Sequence, residues 1–145
     1  MTVIYSKLLT EIKSVFDSIK TVKQVLMHPV GPEDITSYPA VVVEPMSFSN
    51  EYSSTVQNKK TYRFKVWLIV PLDTFSKTVV FGEIIPKCVD DVLEKFDKGW
   101  DFGTIDGSRI WSLMNTGEFG ISKGESGEEA YIEMELLIKM MTNET

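Results

Sequence analysis

Between Glu129 and Met141 the chain alternates, with Ala130, Ile132, Met134, Leu136, Ile138 and Met140 on one side and Tyr131, Glu133, Glu135 and Lys139 on the other. A period of two is the period of a strand with one buried face. Fully extended, these 13 residues span about 40 Å at 3.3 Å each, longer than most strands in small domains. Part of this strand is expected to reach beyond the core of its own domain. Tyr62, Phe64, Val66, Leu68 and Val70 repeat the pattern, with Arg63 and Lys65 turned the other way.

Two such strands need a layer to bury their apolar faces, and helical spacing supplies it twice. Tyr5, Leu8, Leu9, Ile12, Val15, Phe16 and Ile19 form one stripe, backed by Lys7, Glu11, Lys13 and Asp17. Phe81, Ile85, Cys88, Val89, Val92, Leu93 and Phe96 form another, over about Val79 to Phe96. Acidic-then-basic pairs four apart, Glu83 with Lys87, Asp91 with Lys95 and Glu94 with Lys98, mark its wet side. Pro86, four residues after Gly82, is expected to kink this helix or to mark where its regular part begins, and Gly99 to stop it.

The remaining segments read as short strands and turns. Val22 and Val25 to Met27 give a strand ending near His28-Pro29, and Gly31-Pro32-Glu33-Asp34 is turn chemistry. Pro39 introduces a β-branched strand, Ala40 to Val43, closed by Pro45. Ser47 to Lys60, rich in serine and asparagine, reads as a long mobile hairpin loop. A further strand is expected around Ser108 to Met114, and Gly117, Gly120, Gly124 and Gly127 read as flexible turns. The fold class is α+β: a single domain with a mixed, mostly antiparallel sheet packed against two helices, and a long mobile hairpin loop.

Composition narrows the functional classes. A chain of 145 residues, 43% apolar and 11% aromatic, is globular in make-up and fits one core. The single cysteine permits no internal disulfide and points to a reducing compartment. No apolar run approaches the roughly 20 residues of a membrane-spanning helix, and the start of the chain lacks the pattern of a secretory signal, so the protein is expected to stay inside the cell that makes it. A net charge of −6 disfavours binding to phosphates, whose affinity comes from lysine and arginine releasing counterions.

The residues do not assemble a catalytic centre. His28 is the only histidine, which removes every arrangement needing two, and with Cys88 it supplies too few zinc ligands. Cys88 falls on the apolar stripe, as a core residue would. Asp90 and Asp91 point about 100° apart on a helix, so ion pairing with nearby lysines explains them better than acid and base roles. Glu125, Glu128 and Glu129 lack the spacing of a calcium loop, and the segment from Gly117 to Gly124 lacks the Gly-Lys-Ser or Gly-Lys-Thr of a phosphate loop. No metal or cofactor is expected. Trp67, Met134, Met140 and Met141 read either as an adaptable apolar contact surface or as core.

The order helix, short strand, Tyr38-Pro39-Ala40-Val41-Val42-Val43, long polar loop, Tyr62 to Pro71, helix and C-terminal strands resembles the tail terminator, or tail completion, proteins of long-tailed bacteriophages. The resemblance covers nearly the whole chain in order and size. It implies a ring, expected to be of six copies, that ends the tail tube and joins it to the head or neck, without enzymatic activity. The implied partners are further copies of the chain, the tail tube protein and a neck or head-completion protein. DNA would pass through without specific binding, helped by the acidic balance. The implied location is the head-proximal end of the virion tail, after synthesis in the host cytoplasm. The loop 47–60 would order on docking, with Phe48, Tyr52, Gln57, Lys59, Lys60, Trp67, Tyr131 and Met141 as candidate contacts. Pro86 departs from the family's pattern. Other neck or tail components, the terminator of a contractile injection system, a bacterial ligand-binding or regulatory module, and an enzyme built from distant carboxylates remain alternative readings.

Overall fold

The computed structural model describes residues 4–28, 34–52, 57–72, 76–97, 104–105, 108–124 and 127–143. The first stripe folds as α1, Ile4–Asp17, with Leu8, Ile12 and Phe16 buried along one side. The chain then turns through Ile19 and Val22, both buried, into the short strand β1, Gln24–Leu26. Gln24 holds the connection that follows: its Oε1 accepts from the backbone N–H of Thr36 and Ser37 at 2.8 and 3.1 Å, and its Nε2 donates to the Asp34 carbonyl at 3.2 Å. After a cis Tyr38–Pro39 peptide comes β2, Ala40–Tyr52, then β3, Gln57–Pro71.

The second helix, α2, is built from three abutting stretches, α-helical Lys77–Val79, π-helical Val80–Ile84 and α-helical Ile85–Asp97. Ser76 caps its start, its side chain accepting from the Val79 N–H at 3.2 Å. Pro86 has no N–H to give the carbonyl four residues back, and its ring would crowd that carbonyl in a regular α-helix. The wide turn lies immediately before it, with the Ile85 N–H bonded to the Val80 carbonyl five residues back. The irregularity expected at Pro86 is thus a π turn, placed just upstream of the proline.

Three further strands complete the described chain: β4, Thr104–Ile105; β5, Ser108–Gly124; and β6, Gly127–Asn143. Among the described residues the strands form one six-stranded sheet in the order β1-β2-β3-β6-β5-β4. Only β1 and β2 are parallel; every other neighbouring pair is antiparallel. The expected α+β architecture, a mostly antiparallel sheet on two helices, is the observed one.

Both helices lie on one face of this sheet. Ala130, Ile132, Met134, Leu136, Ile138 and Met140 of β6 meet Phe64, Val66, Leu68 and Val70 of β3, and α1 and α2 close over them. Phe16 and Phe96, one from each helix, pack with ring centroids 4.8 Å apart. Ser112 of β5 donates to the Phe96 carbonyl at 2.7 Å, fastening the last turn of α2 to the sheet.

Two expectations are corrected. The polar stretch 47–60 is not a loop for most of its length: Ser47 to Tyr52 pair with Arg63 to Asn58 as a continuation of β2 and β3, and the intervening 53–56 lie outside the described residues. Once two strands are registered by their apolar halves, serine, asparagine and threonine can prolong the ladder, because backbone groups supply the hydrogen bonds. The glycine-bearing stretch from Gly117 to Gly124 is likewise strand, paired with β6 from Met134 to Gly127. Among the described residues only Gly127, at φ 120°, has the left-handed backbone that a hairpin bend asks of glycine.

Candidate assembly interface

The sheet is longer than the helices that cover it, and its exposed features follow from that mismatch. On the helix side, the β2–β3 hairpin forms an arm whose rows run from Pro45 and Phe64 out to Tyr52 and Asn58. At its root is a groove of about 460 Å3 lined by Tyr5, Met46, Phe48, Tyr62, Arg63 and Phe64, among others. The ring of Tyr5, from the first turn of α1, lies 5.7 Å from that of Tyr62 and 6.4 Å from that of Phe64. Phe48 is 76% exposed and Met46 49%, so this apolar surface has no cover among the described residues. Met46 is the extra residue of a bulge in β2, between Pro45 and Ser47.

On the helix-free side, β3 and β6 present a mixed face. Lys65 reaches diagonally to Glu133 at 3.1 Å and lies 5.6 Å over the Trp67 ring, and Arg63 reaches Glu135 at 4.0 Å in the same sense. Such half-exposed pairs contribute about 0.2–1 kcal/mol each. Trp67 meets Tyr131 edge-on at 5.5 Å. Ala40 and Val42, in register with Ile69 and Trp67, are buried on this side. Tyr38 donates to Glu129 at 3.4 Å; burial first, then the Glu129 charge and this hydrogen bond, hold the Tyr38 hydroxyl above its ordinary pKa.

The eight contact candidates therefore divide between two faces. Phe48 and Lys60 lie on the helix side of the arm, and Lys59, Trp67, Tyr131 and Met141 on the helix-free side. Trp67 and Tyr131 touch, and Lys59 sits opposite Met141 in register. Tyr52 is registered with Asn58, and Gln57 with Asn143, at the far end of the arm. Met134 and Met140 are core residues, 4% and 0% exposed, so they belong to no contact surface.

Sequence reasoning missed Tyr5, Met46 and Tyr62 as one groove, since they come from three elements. It also missed Trp111, Leu113, Phe119 and Ile121, exposed apolar residues along β5. Phe119 and Ile121 alternate with Gly120, a strand signal hidden by reading the glycines as turns.

No chemistry-bearing cluster competes with these surfaces among the described residues. No group of three or more histidine, cysteine, aspartate or glutamate side chains is placed to hold a metal ion there. His28 is exposed at the end of β1. Asp91 accepts a hydrogen bond from the Thr21 hydroxyl at 3.0 Å, so it ties α2 to the α1–β1 turn, where pairing with a lysine had been expected. Cys88 is buried on the inner side of α2, and burial pushes its thiol pKa up. Glu128 lies about 4 Å from both Lys77 and Lys123, Glu129 serves Tyr38, and Glu125 lies outside the described residues. No described helix is long and apolar enough to cross a membrane. No protein-family model matches the chain, and comparison with curated proteins finds no match.

Proposed function

We propose that this chain is a structural assembly protein of a long-tailed phage tail, forming a ring, of six copies by the family's pattern, that ends the tail tube and joins it to the head or neck. The observation that carries the reading is the sheet's excess over its own core: an arm with Met46 and Phe48 exposed around an apolar groove. Exposed apolar patches of this kind mark surfaces completed by another molecule. The resemblance in element order to tail terminators supplies the particular assembly. Further copies, the tube protein and a neck protein are the partners in this reading, and the head-proximal end of the tail is the location.

The helix-free face suits the passage of DNA. Lys65 and Arg63, its central cations, are engaged by Glu133 and Glu135, and the chain carries a net charge of −6. Lys59 and Lys139 stand on the same face, and it is the net negative charge of the chain that disfavours holding phosphates.

Negative-stain electron microscopy of the purified protein, alone and mixed with its tail tubes, tests the reading. Six-fold rings, free or seated on one end of the tubes, are expected. A protein that remains monomeric or dimeric and leaves every tube end bare overturns it. The groove at Tyr5, Met46 and Phe48 favours one second reading, a module for a small apolar ligand, because its volume of about 460 Å3 lies within the range of ligand pockets. A saturable ligand bound by a stable monomer would support that alternative.

A further inference from the structure

Both outer sheet edges are open over most of their length among the described residues. β1 pairs with β2 only from Ala40 to Val42, and β4 pairs with β5 only at Ser108 and Arg109. Beyond those guards, β2 from Val43 and β5 from Ile110 present backbone groups with no strand beside them. Unpaired edges of this length are templates for another strand, which proteins ordinarily blunt or use.

The two open stretches lie at the same height. Following the register across the sheet, Val43 aligns with Val66, Met134 and Gly117, and Asn50 aligns with Lys60, Met140 and Ile110. Residues 43–50 of β2 and 110–117 of β5 therefore occupy the same rows at opposite ends of the sheet. Three successive antiparallel pairings also make the two strands run in opposite directions. Each carries a bulge within about one row of the other, at Met46 in β2 and at Asn115 in β5. The exposed large apolar residues concentrate on these strands: Met46 and Phe48 on β2, and Trp111, Leu113, Phe119 and Ile121 on β5; only Tyr5 and Phe81 lie elsewhere among the described residues.

We infer that neighbouring copies of this chain join edge to edge, the open stretch of β2 in one copy pairing antiparallel with the open stretch of β5 in the next. The inference rests on the ring reading and assigns the surfaces that would build it. A copy related by rotation about an axis along the strands brings a β5 edge against a β2 edge in the antiparallel sense, with no change of height. In that register Ser47 faces Leu113, Ser49 faces Trp111, and Asn50 faces Ile110, the last open row before β4. Because β2 and β5 differ, the contact is head-to-tail, the type that closes rings. Pro45 withholds one donor, so the ladder is carried mainly by the rows from Ser47 outward.

Cysteine cross-linking tests the assignment. One preparation carries Ser47→Cys and another Leu113→Cys; Ser49→Cys with Trp111→Cys forms a second pair. The unsubstituted chain, whose Cys88 is buried, is the blank. Directly opposed residues of an antiparallel pair have Cα atoms about 4.5–5.5 Å apart, within disulfide reach. Mild oxidation of mixed preparations is expected to give a species of twice the chain mass that neither preparation gives alone. The doubly substituted S47C/L113C chain is expected to close into covalent rings of one size. Rings visible by microscopy that remain uncross-linked through both pairs overturn the edge assignment and leave the ring reading standing. So does S47C linking to itself, or either cysteine linking to added tube protein and not to a second copy. Absence of any particle larger than a dimer, with or without tubes, removes both.

Discussion

A β-carbon on Gly120 would stand 2.5 Å from the Tyr131 ring, and that ring is itself held edge-on by Trp67. The aromatic covers a glycine on the neighbouring strand, so Gly120→Ala must displace it. We expect G120A to lower the melting temperature and to change Trp67 emission, while Gly117→Ala, whose nearest neighbour would be at 3.6 Å, leaves both nearly unchanged. Gly82 has nothing within 4 Å of an added β-carbon and sits inside α2. G82A is therefore expected to stabilise the protein by about 0.5–1 kcal/mol in urea unfolding. From sequence, Gly82 could be placed in its helix, but Gly120 could not be placed beneath Tyr131, because the register that brings them together spans two strands.

Among elements, the helices and the apolar halves of β3 and β6 were legible because one periodicity fixes each. The far halves of β2, β3 and β5 were not, since both their faces are polar or interrupted by glycine and only pairing defines them. The candidate interface was legible in part: the arm was identified by its position, but as a loop, and β5 was read only as far as Met114, with none of its exposed residues among the contact candidates. Shortening the arm by joining Ser49 to Thr61 through Asn-Gly is expected to leave the core folded by circular dichroism and to abolish assembly. A large loss of secondary structure beyond the removed rows would show that the arm supports the core. Where α2 meets the sheet, Ser112→Ala removes a buried 2.7 Å hydrogen bond to the Phe96 carbonyl. A loss of about 1 kcal/mol, read as a lower urea midpoint at unchanged slope, is expected.

For the whole molecule, the described groups whose pKa values are displaced are all displaced upward. Tyr38 and Tyr62 are raised above 10.0, first by burial and then by Glu129 and Tyr5 respectively, and Cys88 is raised above 9.0 chiefly by burial. Each of these groups stays protonated in the folded state at a pH where the unfolded chain has begun to ionise. Their contribution is fully present below the ordinary values and is lost as pH climbs through the raised ones. Thermal melts from pH 7 upward should therefore decline from about pH 9 onward. Tyr62→Phe, which deletes one of the three groups, should decline less; an equal decline would place the alkaline sensitivity elsewhere.

β6 lies at the centre of the sheet yet is the last described strand in chain order, and β3 and β5 meet only through it. Before β6 is made, the β2–β3 arm and the β4–β5 pair are two pieces with no shared strand. The apolar inner rows of β3 and β5 then wait for Ala130 to Met140 to arrive between them. Closure of the sheet thus waits for β6, and a chain halted before Gly127 should remain open to proteases.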